Sequence, residues 1–371
     1  MARIAIDARM MGAGETRGIG RYIEELIRGL LSLNHDHTFV LFERHPEVSP
    51  FLEAKRVEHI QADIPWYGLA EQTRLPSIIQ SANADLVHFP HWNVPFWFHG
   101  KSVLTIHDLL LRHEPASAKI STRGPFVRTI KRFGYRMLLR RAIDHAKAIL
   151  VPTEFVRQDV INHYRLTEQK ISITSEGITA LPAPDFARVP NHPFIFYIGS
   201  AYPHKRLDLL LDAWRALSTR SPERELVIAG EHDVFLKKLI SRVQRESLPR
   251  VSFPGRLSDA ELAGFLQKAE VFVFPSAHEG FGLPPLEALA QGCPVISSDA
   301  PSLKEILPNE GVFFFRSNDK NAMIQAFDTV FSAPLKAKES VRRVQSFILE
   351  QFSWKEAAAR TLEAYERVIH A

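Results

Sequence analysis

Over most of its length this chain alternates short β-rich apolar runs with stretches whose apolar residues recur at helical spacing. Residues 3–7, 38–42, 85–89, 102–106 and 148–151 are short and mostly apolar, and they read as strands. After the first, Tyr22, Ile23, Leu26, Ile27, Leu30 and Leu31 follow a helical period, behind a glycine-bearing loop with Gly12, Gly14, Gly18 and Gly20. Strands alternating with helices predict a parallel, doubly wound α/β sheet. The periodicity lapses over 179–193, where Pro182, Pro184, Pro190 and Pro193 mark a linker. It then restarts, with strands over 194–198, 226–229, 251–253, 271–274 and 295–298 and helices from 207, over 235–246 and over 259–268. Two Rossmann-like domains are therefore expected, 1–185 and 186–353, with ligands where the strands end. A last amphipathic helix is read from Trp354 to the C-terminus.

The densest chemistry lies in 271–305, VFVFPSAHEGFGLPPLEALAQGCPVISSDAPSLKE. An apolar strand ends at Pro275, and a short loop holds Glu279, Gly280, Phe281 and Gly282. Pro284 and Pro285 suit the first turn of a helix, where a missing N–H costs nothing, and Gly292 suits its stop. A strand, a glycine loop and a helix N-terminus together present free N–H groups and positive potential to an anion. A diphosphate fits that end. Glu279 and Glu287 cannot bind phosphate, but they accept hydrogen bonds from hydroxyls, so the ligand is expected to carry phosphates and sugars together. The plainer reading is an ordinary strand–loop–helix turn with two surface glutamates.

At these residues the chain resembles the retaining glycosyltransferases of family 4, whose fold is called GT-B: two Rossmann-like domains facing across a cleft. Glu279, seven intervening residues and Glu287, with Gly-Phe-Gly-Leu-Pro between, look like that family's donor motif. The resemblance implies that Glu279 contacts the transferred sugar and Glu287 the ribose. Backbone groups of Phe281, Gly282 and Leu283 would then meet donor sugar and phosphate. It also implies that 354–371 packs back on the first domain, that the first domain is the acceptor side, and that the second binds the nucleotide sugar.

Other segments fill out that expectation. Gly199-Ser200-Ala201-Tyr202-Pro203-His204-Lys205-Arg206 nearly spells a P-loop, but His204 replaces its second glycine and Arg206 its Ser or Thr. It is similar to the family segment whose lysine neutralises the leaving diphosphate, a role that falls to Lys205. Many members carry Arg where Ser200 stands, so one phosphate clamp is missing here and Arg206 is a candidate substitute. Arg256 follows a strand, before Ser258 as a helix cap, where family members hold the nucleotide base. His107 and Asp108 end a first-domain strand, and the resemblance places the histidine near the transferred sugar and the leaving phosphate. Gly18 and Gly20 belong to the loop expected to cover the donor phosphates. Tyr67, Glu71, His91 and Asn93 are candidates for the acceptor, since aromatic rings beside polar groups suit carbohydrate faces.

Two other classes compete. Gly12-x-Gly14 with Glu43 near the end of the second strand imitates part of a dinucleotide fingerprint, which keeps an NAD-dependent oxidoreductase open. That reading leaves Lys205, Glu279 and Glu287 unused. A non-catalytic nucleotide-sugar or nucleic-acid binding protein differs only in lacking turnover. The 16 histidines are scattered without paired-ligand spacing, so no metal site is expected, and no cofactor beyond the nucleotide sugar. GDP-mannose is the favoured donor, and the family pattern looks most like bacterial mannosyl- or rhamnosyltransferases of polysaccharide (O-antigen) synthesis.

Composition changes this picture little, and charge changes it at one place. The 371 residues carry a net charge of +4 and one cysteine, Cys293, which excludes an internal disulfide. The N-terminus MARIAIDARMM does not read as a signal peptide, and no run approaches the roughly 20 apolar residues of a membrane span. A cytoplasmic protein is the expectation. Yet residues 119–147 hold nine bases, Lys119, Arg123, Arg128, Lys131, Arg132, Arg136, Arg140, Arg141 and Lys147, against Asp144 alone, a local balance of +8. Aromatic and aliphatic residues are interleaved, so the segment is expected to touch an anionic membrane at the inner face of the cell. A lipid-linked glycan acceptor would account for that; no nucleic-acid partner is expected.

Overall fold

The computed structural model describes residues 1–12, 17–114 and 125–371, the side chains of 17 and 125–132 excepted. It divides into two units. The first holds Met1–Leu109, Trp354–Ala371 and the chain up to Gly177; the second holds Ile178–Ser353 and the short helix Leu110–His113. The chain thus changes unit at Gly177, ahead of the proline-rich stretch and of residue 185.

The first unit is built on seven parallel strands: β1 Arg3–Asp7, β2 Thr38–Glu43, β3 Val57–Gln61, β4 Leu86–Phe89, β5 Ser102–Thr105, β6 Ala148–Val151 and β7 Ile171–Ile173. Their order is β3-β2-β1-β4-β5-β6-β7, so the order reverses between β1 and β4. Interior strands such as LVHF in β4 and AILV in β6 are buried along their whole length, as strands covered by helices on both faces must be. Helix Arg17–Ser32 covers one face, with Tyr22, Ile23, Leu26, Ile27 and Leu30 inward. The C-terminal helix Trp354–His370 packs beside it, burying Ala357, Ala358, Ala364 and Tyr365. Gly29 permits that approach: a Cβ there would lie 2.8 Å from both Ala358 Cβ and the Trp354 carbonyl.

The second unit repeats the plan with six parallel strands: β8 Phe194–Ile198, β9 Glu225–Ala229, β10 Val251–Gly255, β11 Val271–Phe274, β12 Val295–Ser298 and β13 Val312–Phe315. The order β10-β9-β8-β11-β12-β13 again reverses beside the first strand of the unit. One apolar core runs through it, from Trp214 on helix Leu207–Arg220 to Phe265 on helix Asp259–Lys268 and Phe327 on helix Lys320–Ser332. Two Rossmann-like units of this order are the expected α/β class.

One expectation is corrected. Gly18 and Gly20 do not lie in a loop; helix Arg17–Ser32 begins before them, and Gly20 is buried within its first turn. Nothing in 17–21 stops the helix, and the inward-facing period continues back to Ile19, which packs against the same core. Gly14 lies outside the described residues. Among the described residues, no helix is long and apolar enough to cross a membrane.

Candidate functional site

In open parallel sheets ligands sit beyond the strand ends where the order reverses. In the second unit that point lies between β8 and β11, and the loops leaving these two strands carry Lys205 and Glu279. The loops are stitched together: Ala277 N–H donates to the His204 carbonyl at 2.8 Å. Lys205 Nζ and Glu279 Oε1 form a direct ion pair. Their side chains are only 15% and 13% exposed. The ammonium also lies 5.0 Å from the centre of the Phe274 ring. Burial pushes the Glu279 carboxyl up, but the Lys205 charge and hydrogen bond, with contributions from His204 and Ser276, together outweigh it and hold the carboxyl below its usual range. Ser302 Oγ donates to the Glu279 carbonyl at 2.8 Å, and Ser298 Oγ to the Ser276 carbonyl, so β12 and the helix after it brace the Glu279 loop.

Gly282 ends that loop with φ +116 and caps helix Leu283–Ala290. A Cβ there would come within 2.6 Å of Leu303 Cδ2, so the backbone sits as close to its support as glycine allows. The Phe281 side chain faces the core against Phe352, which leaves only its backbone toward the loop surface. Glu287 lies buried on the same helix. Next to the ion pair, Gly199 and Gly230 directly follow β8 and β9, and Gly255 ends β10. A Cβ on Gly230 would stand 2.2 Å from the Gly199 carbonyl oxygen, and Gly199 and Gly255 have φ +151 and +80. The result is a shelf of bare backbone along three neighbouring strand ends. Gly199 and Gly230 each directly follow an apolar run, a signal that the sequence reading used only at Gly199.

Other predicted donor residues are spoken for. The Arg206 guanidinium bonds Asn318 Oδ1 and Glu114 Oε1, each at 2.8 Å, so this cation is already neutralised within the unit. Arg256 pairs with Glu231 at 3.0 Å on the surface. Ser258 does cap helix Asp259–Lys268, in a capping box with Glu261. The Ser200 carbonyl accepts the buried Tyr197 hydroxyl at 2.7 Å.

In the first unit the candidate acceptor residues separate into two kinds. Arg9, just beyond β1, is buried with its guanidinium on both Asp7 oxygens, at 2.8 and 2.7 Å, and on Glu71 Oε1 at 2.7 Å. Asn93 Nδ2 donates to the same Glu71 oxygen at 2.6 Å, and Tyr67 N–H to the other at 2.9 Å. The Arg9 and Glu71 side chains are each 1% exposed. Glu71 and Asn93 therefore support the site from within, because the buried Arg9 charge claims Glu71 and Glu71 in turn claims Asn93; Arg9 and Asp7 were not foreseen. Tyr67 is exposed, and His91 lies partly buried beneath it. The Tyr67 hydroxyl meets His91 Nε2 at 2.7 Å, and its ring stacks on Trp92, 5.2 Å between centres at 24°.

His107, beyond β5, points both ring nitrogens at acceptors: Nδ1 at Glu176 Oε1, 3.1 Å, and Nε2 at the Pro90 carbonyl, 3.0 Å. Burial alone would lower its pKa, but the hydrogen bond and charge of Glu176 raise it above the ordinary value. His88 and His91 beside it are pushed down to about 3 by burial and by the His107 charge. His107 therefore has no ring nitrogen left to offer a sugar hydroxyl, and Glu176 went unnoticed because nothing local in the sequence marks it.

Known proteins share this plan. Residues 16–180 match the family described as Glycosyltransferase Family 4, and residues 184–346 the one described as Glycosyl transferases group 1. The O-antigen chain mannosyltransferase B of Escherichia coli is 26% identical, over 94% of this chain and 96% of that one. The O-antigen chain mannosyltransferase RfbU of Salmonella typhimurium is 24% identical over 76% of this chain and 74% of its own length. Among solved structures, Anabaena HepE in complex with UDP and glucose superposes with a TM-score of 0.75 at 16% identity, over 99% of this chain and 100% of that one. That likeness shows the GT-B fold.

Proposed function

The chain belongs to glycosyltransferase family 4, and from that membership we propose that it moves mannose from GDP-mannose to a glycan acceptor, lipid-linked, in O-antigen-type polysaccharide synthesis. The donor would bind the second unit. What supports this is the buried Lys205–Glu279 pair at the reversal of strand order, flanked by the glycine shelf and the helix beginning after Gly282. Before donor arrives, the lysine cancels a carboxylate that would repel a diphosphate. With donor bound, Lys205 and the backbone N–H groups of Gly282 and Leu283, the last before Pro284 and Pro285, meet charge developing on the leaving diphosphate, where preorganised donors act most. Glu279 accepts from sugar hydroxyls, and Glu287 from the ribose.

Transfer with retention of configuration needs no protein base, and among the described residues Glu279 and His107 are both already paired. The acceptor oxygen bonds to the anomeric carbon as the carbon–phosphate oxygen bond breaks, and the acceptor proton passes to that departing oxygen. No metal is required if Lys205 and the Gly282 and Leu283 amides bear the charge. The stacked Tyr67 and Trp92 rings on the first unit offer a face to an acceptor sugar. The membrane side of the proposal rests on helix Pro125–His145, where Phe133, Arg136, Met137 and Arg140 are exposed at helical spacing.

The test is binding and turnover of GDP-mannose beside UDP- and dTDP-linked sugars, with and without EDTA. Glu287→Ala removes a hydrogen bond to a charged acceptor, about 1.5–3 kcal/mol, so donor affinity should fall roughly tenfold to over a hundredfold. An unchanged donor Kd removes Glu287 from the site. A product whose NMR couplings show inverted configuration, or activity lost to EDTA and restored by magnesium, refutes the corresponding part of the mechanism.

A further inference from the structure

The His107 side chain is gripped from two directions. Pro90 follows β4, the neighbour of β5 on one side, and Glu176 follows β7, two strands away on the other. A carbonyl and a carboxylate oxygen can only accept hydrogen bonds, so each ring nitrogen facing them must carry a proton. Neutral imidazole has one N–H and would turn a lone pair toward one of these oxygens. The His107 and Glu176 side chains are 17% and 11% exposed, so water and salt screen the pair little.

Every other group around the ring is consistent with a lone fixed cation. Asp108, on the same loop, adds negative charge. Tyr22 sets its ring edge-on to the imidazole at 4.6 Å, and burial holds its hydroxyl neutral. His91, 6.5 Å away between ring centres, and His88 stay uncharged, with His88 bonded to Tyr365 and Thr105. Three histidines gathered at the ends of β4 and β5 thus hold a set protonation pattern, of which one member alone is charged.

We infer that Glu176 is a positioning residue that fixes His107 as a doubly protonated imidazolium, so that His107 enters the reaction as a permanent positive charge and not as an acid–base group. The proton lost by the acceptor then has to leave by a route other than this histidine. The part concerning the reaction rests on the proposed glycosyl transfer; the part concerning protonation does not.

The two parts are tested separately. The first measurement is a pH titration of 15N-labelled histidine in the full chain, with His107 identified by the resonances lost in His107→Gln. Both His107 nitrogens should keep the protonated signature at pH 7, above the roughly 6.5 of free imidazole. A His107 that is neutral at pH 7 overturns the inference whether or not the protein transfers sugar. The second is the pH–rate profile of sugar transfer in wild type, Glu176→Gln and Glu176→Asp. Glutamine removes the charge, so kcat should approach wild type only below the lowered His107 pKa and fall about tenfold for each pH unit above it. Aspartate should restore the flat profile. If His107 is a cation by NMR yet Glu176→Gln leaves the shape of the profile unchanged, the positioning role is overturned and the pair is purely structural.

Discussion

Lys205 and Glu279 stand 74 positions apart in the chain, and they meet only because β8 and β11 are neighbours in the sheet. Each was readable as chemistry from its own loop; their pairing was not, since strand order is not written locally. The same limit explains Glu71, which looks like an acceptor-side carboxylate until Arg9, 62 residues away, takes it. The ion pair makes a prediction with a definite sign in pH. Glu279 is lowered in the folded state, so its contribution is present above the unfolded value of about 4.5 and is lost as pH falls through the lower folded value. Lys205→Met leaves the carboxylate buried and uncompensated. Breaking a fully buried pair costs about 3–5 kcal/mol, and the slight exposure of this one argues for the lower end. Denaturant unfolding should show that loss at pH 7, shrinking toward pH 4, and the double variant Lys205→Met with Glu279→Gln should recover part of it. A loss independent of pH would mean that the pair contributes through packing alone.

At the scale of elements, interior strands were legible, and of the edge strands only β10 was. β6, β8, β11 and β12 are apolar runs covered on both faces, and their limits could be read directly. β3, VEHIQ, lies at a sheet edge with alternate exposure and polar side chains, and β7 has three residues, so neither makes a run. Val312–Phe315 carries a clear apolar signal and was passed over. The loop-to-helix join at Gly282 tests whether backbone shape matters as the proposed donor site requires. An L-residue at φ +116 is strained, by about 1–3 kcal/mol, and its Cβ would also press on Leu303. Gly282→Ala should therefore lower Tm and shift the helix N-terminus. If the Gly282 and Leu283 amides cradle the diphosphate, nucleotide-sugar affinity should fall further in this variant than in Gly292→Ala, at the far end of the same helix, which is also at positive φ (+78) but whose nearest contact is Gln345 Nε2 at 4.0 Å. Equal affinity loss in the two would separate Gly282 from the donor.

For the whole molecule, the two-unit plan was legible because the hydrophobic period stops and restarts, whereas membership of Trp354–Ala371 in the first unit depends on contacts made more than 300 residues away, such as His37 with Glu366. Charge is also a property of the whole. The chain carries +4 while residues 119–147 carry +8, which leaves −4 for everything else, so the positive field is concentrated in one segment. Part of that segment is spent internally: Arg140 pairs with Asp144 at 2.8 Å, and Arg141 lies 4.4 Å over the Phe96 ring. Lys119 and Arg123 lie outside the described residues, as do the side chains of Arg128, Lys131 and Arg132. What is displayed beside them is apolar, with Phe133 70% and Met137 47% exposed on the same helix. Bases together with exposed apolar side chains suit the interface of an anionic bilayer better than a purely solvated face. Each Lys or Arg near such a surface is worth about 1 kcal/mol, so replacing Arg128, Lys131, Arg132 and Arg136 by Gln should weaken binding to phosphatidylglycerol vesicles by about two to three orders of magnitude. Phe133→Ser should weaken it further and, unlike the charge variants, by a similar factor in low and high salt. Sedimentation with anionic vesicles no greater than with phosphatidylcholine vesicles at low salt would rule out this helix as a membrane contact.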